Sequence, residues 1–134
     1  MKTILVVEDE SAAMESLRNI LKEYNVIEAL NAEQALSLFS QYGRHVDLLV
    51  SHVMLPRSSG IQIALLLRSE IPDLPVLLTS SYPVSDWTGR EYTDLLRLGS
   101  TSVALLAKPF QIQGLLNMVR ELLGAVPSEL ARTA

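Results

Sequence analysis

Four positions in this chain put a polar side chain directly after a short apolar run. Glu8, Asp9 and Glu10 follow Thr3 to Val7; His52 closes the run that begins at Leu48; Thr79 follows Leu74 to Leu78; and Lys108 with Pro109 follows Val103 to Leu106. Carboxylate oxygens are what a hard dication prefers, yet an acidic run after a strand also serves as solvated charge or complements a helix N-terminus, which is the reading for Glu10. Thr79 either caps a strand end or offers a donor to a bound anion. His52 has three readings: a hydrogen-bonded histidine that offsets an acidic crevice, a phosphoryl acceptor, or half of a His-carboxylate transition-metal site. The first is preferred here.

The elements that must position these residues alternate regularly. Thr3 to Val7 reads as a strand buried on both faces. Ser11 is a candidate N-cap for a helix whose stripe is Met14, Leu17, Leu21 and Tyr24. Asn25 to Leu30 is a second strand. Asn31 with Gln34 fits a capping arrangement for a helix with Ala32, Ala35, Leu36 and Phe39 inward, ended by Gly43. Leu48 to Val50 begins the third strand, and Pro56, Ser58, Ser59 and Gly60 make a loop before a third helix that runs to about Ile71 and is closed by Pro72.

That third helix is apolar on nearly every side. Ile63, Leu66 and Leu67 are expected to face the core, leaving Ile61, Ala64 and Leu65 turned partly to solvent. Leu74 to Leu78 is the fourth strand. A fourth helix is expected from Asp86 to Leu98, weakened by Gly89 within it. Val103 to Leu106 is the fifth strand, and Leu115, Leu116, Val119, Leu122 and Leu123 mark the inner stripe of a last helix that stops at Gly124.

Strands alternating with helices imply an α/β fold, doubly wound, with a five-stranded parallel sheet in the order 2-1-3-4-5. Ligands of such sheets bind outside the carboxyl ends of strands one and three, which brings Glu8, Asp9 and His52 together. Lys108 beside those carboxylates can form a structural ion pair. Residues 1–124 are read as one domain, and 125–134 as a short tail expected to fray. The chain has 134 residues, 49% of them hydrophobic, enough for one sizeable core but not for two domains. Its net charge of -4 argues against nucleic acid as a partner, and it has no cysteine for disulfides or thiolate chemistry. No apolar run is long enough to span a membrane, so a cytoplasmic protein is expected.

The segment Asp47 to Gly60, DLLVSHVMLPRSSG, resembles the third strand of response-regulator receiver domains. Their pattern is an Asp, a hydrophobic run, a second Asp that accepts a phosphoryl group, and then Pro and Gly at the spacings of Pro56 and Gly60. The resemblance extends to about Gly124. It implies the CheY-like form of the fold above, with Glu8 and Asp9 at the positions of the acidic pair that holds Mg²⁺. Thr79 and Lys108 then match the two residues that contact the phosphoryl group. Two positions depart from it. His52 stands in place of the acceptor Asp, and Leu105 stands where an aromatic switch residue is common. The connection from Gly99 to Lys108 is also longer than usual.

A pseudo-receiver is therefore expected: a non-enzymatic module of two-component phosphorelay signalling that acts by protein contacts and has lost Asp phosphorylation. Mg²⁺ binding by Glu8 and Asp9 is expected to be weak. Partners would be a histidine kinase, an output protein or a second copy, met through an apolar surface at Ile61, Ala64, Leu65, Trp87 and Leu105. His52 is expected to be more easily protonated than a free histidine because of Glu8 and Asp9, unless Lys108 already neutralises them. Two alternatives belong to other classes. A flavin- or nucleotide-binding flavodoxin-like protein suffers from carboxylates in the loop EDESAAM, where phosphate would need glycines and backbone N–H groups. A phosphatase-like hydrolase lacks the spacing of its two aspartates at Glu8-Asp9-Glu10.

Overall fold

Five runs pair as one parallel sheet; the central ones are apolar on both faces, while the edge run Asn25–Ala29 also carries Asn25 and Glu28. In the computed structural model, which describes residues 1–124, these are β1 (Thr3–Val7), β2 (Asn25–Ala29), β3 (Leu48–His52), β4 (Val76–Ser80) and β5 (Val103–Ala107). Their order is β2-β1-β3-β4-β5, as expected. The helices between them are α1 (Ser11–Ile20), α2 (Ala32–Tyr42), α3 (Gly60–Glu70), α4 (Gly89–Leu98) and α5 (Ile112–Gly124). The tail expected at 125–134 lies outside the described residues. Among the described residues, no helix is long and apolar enough to cross a membrane.

Successive strand residues point to opposite faces, so each strand feeds two cores. Ile4, Val6, Leu48, Val50 and Leu77 pack with Met14 and Leu17 of α1 and Leu115 and Val119 of α5. Leu5, Val7, Leu49, Val76 and Leu78 pack on the other face with Phe39 of α2 and with Ile63 and Leu67 of α3. Asn31 caps α2 as expected, its side chain accepting from the Gln34 amide at 2.8 Å. Glu10, rather than Ser11, precedes α1, and its side chain makes no capping bond.

The third helix is rotated from the expected position. Gly60, Ile61, Ile63, Ala64 and Leu67 are buried, Leu65 is half-buried, and Leu66 is exposed. Sequence periodicity carries no phase for a helix apolar all round, so its neighbours decide which side faces in. Here α2, α4 and the sheet all contact α3, leaving only the Leu66 side open. The fourth helix also begins later than expected, because Val84–Asp86 forms a separate 3₁₀ turn. Thr88 and Glu91 make a reciprocal capping box ahead of it. Gly89 is the first helical residue, where the interior penalty for glycine does not apply, so the expected weakness of this helix loses its basis.

Two contacts set where α3 sits. Gly60 begins it immediately above the end of β3, and a Cβ there would collide with the His52 carbonyl oxygen and lie 2.5 Å from the Ser51 hydroxyl. At the other end the Arg68 guanidinium donates to the carbonyls of Leu74 at 2.9 Å, Leu98 at 3.2 Å, Thr101 at 2.8 Å and Ser102 at 3.3 Å. One side chain thus ties the end of α3 to the end of α4 and the turn into β5. Nothing in the spacing of the sequence marks Arg68 for this.

Gly60→Ala is expected to destabilise the fold by at least about 1–3 kcal/mol, the usual cost of overpacking. Arg68→Met, which retains the stem and loses the donors, should cost roughly 1.5–3 kcal/mol. Urea unfolding with an unchanged m-value checks both. Hydrogen exchange in Arg68→Met should accelerate first around the Leu98 to Ser102 turn.

Candidate functional site

Parallel pairing carries the ends of four strands to one rim. Val7 lies opposite Ser51, His52 opposite Thr79, and Thr79 opposite Leu106. The ladder continues one residue further: the Glu8 amide donates to the Ala29 carbonyl at 3.1 Å, Val53 to Thr79 at 2.8 Å, and Lys108 to Ser80 at 2.8 Å. Glu8, His52, Thr79 and Lys108 consequently meet at the carboxyl end of the sheet, where ligands of such folds bind.

Their side chains form one connected cluster. Lys108 Nζ donates to Glu8 Oε1 at 3.1 Å. His52 Nδ1 lies 3.6 Å from Glu8 Oε2 and 3.4 Å from Thr79 Oγ1, the tautomer deciding which of the last pair donates. Glu8 is 1% exposed, Thr79 1% and His52 8%, while Lys108 is half-buried. Glu8 Oε2 is the buried side-chain oxygen left without a hydrogen-bond partner among the described residues.

Not every expected residue joins. Asp9 is exposed, lines a groove with Leu30, Pro56 and Arg57, and acts on His52 only through its charge. Glu10 is likewise exposed. Among the described residues, no group of three or more His, Asp or Glu could hold a metal ion. Ile61, Leu65, Trp87 and Leu105 do not make the exposed apolar surface expected of them. Ile61, Ala64 and Trp87 are buried, and Leu65 and Leu105 are half-buried against the same core. The leucines left open around the groove that Asp9 lines are Leu30, Leu36 and Leu66. Ser51, fully buried beneath Gly60 with its hydroxyl donating to the His52 carbonyl at 3.3 Å, was not marked by its sequence context.

The expectation for His52 is reversed. Burial of the ring is the largest influence and disfavours the imidazolium; Lys108 disfavours it further, and together they outweigh the attraction of Glu8, Asp9 and Glu10. The imidazole is therefore held below its ordinary value of 6.5. Between the depressed folded value and 6.5 the unfolded chain binds the proton and the folded chain does not. This residue's contribution is thus fully present above about 6.5 and is lost as pH falls from there through the folded value. An NMR titration should place the His52 midpoint below that of a model peptide. Urea unfolding should show stability falling from pH 7 to 5, with a smaller fall in His52→Asn.

With this geometry in place, comparison with known proteins identifies the family. The family model for the response regulator receiver domain matches residues 4–120. The chain is 32% identical over 123 residues to sensor kinase CckA of Brucella abortus, 32% over 127 residues to response regulator protein FleR of Pseudomonas aeruginosa, and 37% over 123 residues to response regulator MprA of Mycobacterium sp. (strain KMS). These matches take in 90%, 92% and 90% of this chain but 12%, 25% and 50% of the relatives, so it spans half of their length or less. The crystal structure of the receiver domain from hybrid histidine kinase CckA is 29% identical, with a TM-score of 0.73 over 90% of this chain and 98% of that one. The signal receiver domain of an HD domain-containing protein from Pseudomonas fluorescens is 26% identical, with a TM-score of 0.78 over 92% and 94%. The chain belongs to the response regulator receiver domains of two-component signalling.

Proposed function

We propose that this chain is a receiver module that signals through protein contacts and takes no phosphoryl group on an aspartate. The observation that carries this reading is His52: an imidazole ends β3, with Nδ1 directed at Glu8 and Thr79 and 8% of the residue exposed. Phosphoryl transfer to a receiver needs a carboxylate at that point, in line with the donor and beside the groups that stabilise the moving charge. A buried imidazole whose Nδ1 already faces two neighbours is not offered to a donor in that way. Thr79 and Lys108, which match the phosphoryl-contacting positions of the family, are engaged instead with His52 and Glu8.

Signalling by contact is supported by the surface. Leu30, Leu36 and Leu66 are 48%, 39% and 53% exposed around a groove that Pro56 and Arg57 also line. Burying one leucine contributes roughly 1.5–3 kcal/mol, so three clustered leucines can hold a protein partner. The relatives' names, a sensor kinase and response regulators, support a phosphorelay setting for that partner.

Intact-mass measurement after incubation with acetyl phosphate and Mg²⁺ tests the reading. The native chain is expected to gain no phosphoryl mass. His52→Asp returns a carboxylate to the end of β3, and a gain in that variant alone would locate the loss at this residue. A phosphoryl group on the native chain would contradict the proposal.

A further inference from the structure

Receiver domains typically hold Mg²⁺ in their acidic pocket, and this ion demands near-octahedral oxygen ligation and gives up its waters reluctantly. The cluster at Glu8 does not fit it. Glu8 Oε1 is already taken by the Lys108 ammonium at 3.1 Å, and Oε2 faces His52 Nδ1 at 3.6 Å with no opening to water. Asp9 is exposed and makes no hydrogen bond to the cluster, and the third carboxylate of the family's ligand set is an imidazole here. One orphaned oxygen beside an ammonium is not a seat for a dication, because an ion reaching it would meet a full positive charge within a few ångströms.

We propose that Lys108 is the resident cation of this pocket. Its ammonium neutralises Glu8 in place of a divalent ion, excludes Mg²⁺, and holds the carboxyl ends of β1 and β5 together whether or not Mg²⁺ is present. The inference deepens the functional reading above and rests on it: a pocket that performs no phosphoryl transfer has no need of the metal, and a fixed internal charge can take the metal's structural part. The sequence alone led to weak Mg²⁺ binding by Glu8 and Asp9. The ion pair adds Lys108 to the missing carboxylate as a ground for that weakness.

The test follows amide signals of the ¹⁵N-labelled chain during titration with Mn²⁺, a paramagnetic substitute for Mg²⁺. In the native chain, broadening at Glu8, Asp9 and Val53 should be no greater than at other surface amides. Lys108→Met removes the charge and retains the apolar stem; Lys108→Gln keeps a donor for Glu8 should the first variant fail to fold. Selective broadening at those amides is expected in a folded variant, with affinity at least about tenfold above native. Selective broadening in the native chain at the same Mn²⁺ concentrations would overturn the inference, as would folded variants that bind no more tightly than native. The two readings fail separately. Mn²⁺ at Glu8 in the native chain would remove this one and leave the absence of phosphoryl transfer standing, whereas a phosphorylated native chain would remove the functional reading.

Discussion

A carboxylate with 1% of its surface exposed must be compensated, and the carboxyl rim of this sheet is arranged around how Glu8 is compensated. Desolvating an ion costs several kcal/mol, recovered only when a counter-charge and hydrogen bonds are well placed. The counter-charge is Lys108, 100 residues away in sequence, and it arrives there because β5 pairs with β4 up to Ala107 and the ladder bond from Lys108 to Ser80 carries the chain one step further. A register shift of one residue in β5 would turn the ammonium to the other face and leave the carboxylate alone. The strand ladders, the buried acid and the lysine are therefore one constraint. His52 sits inside it as a ring that burial keeps neutral.

The helical layer on the far face protects that arrangement. Gly60 lets α3 begin against the His52 carbonyl, so the end of β3 is covered by backbone and the imidazole is left little freedom. Arg68, at the other end of the same helix, binds four carbonyls from three segments and sets the turn into β5, the strand that delivers Lys108. The two ends of α3 thus act on the two strands whose residues flank Glu8. Leu66, on the outer side of α3, stays exposed.

The fold was legible because strand ends and helix stripes are local patterns. Each apolar run stops at a polar residue, and the alternation of periods is unambiguous. Site membership was legible for Glu8, His52, Thr79 and Lys108, since the doubly wound order sends those strand ends to one rim. Asp9, next to Glu8 in sequence, stays at the exposed edge of the rim, outside the hydrogen-bonded cluster, and reaches His52 only through its charge. Ile61, Ala64 and Trp87 were placed on the surface because an all-apolar helix carries no phase and Trp87 stands outside any periodic stripe. The His52 shift reversed because the balance between desolvation and a nearby carboxylate depends on burial depth, which no spacing encodes. The flavin-binding and phosphatase alternatives fall away with membership of the receiver family.

The account turns on whether Glu8 and Lys108 act as one unit, and a double-mutant cycle measures that directly. Unfolding free energies of native protein, Glu8→Gln, Lys108→Met and the double variant give the coupling between the two side chains. A buried charge pair predicts strong non-additivity: each single change strands one partner, and the double change costs less than the sum by about 1.5 kcal/mol or more. Effects that add to within about 0.5 kcal/mol would contradict the account, because Glu8 would then be compensated by something other than Lys108.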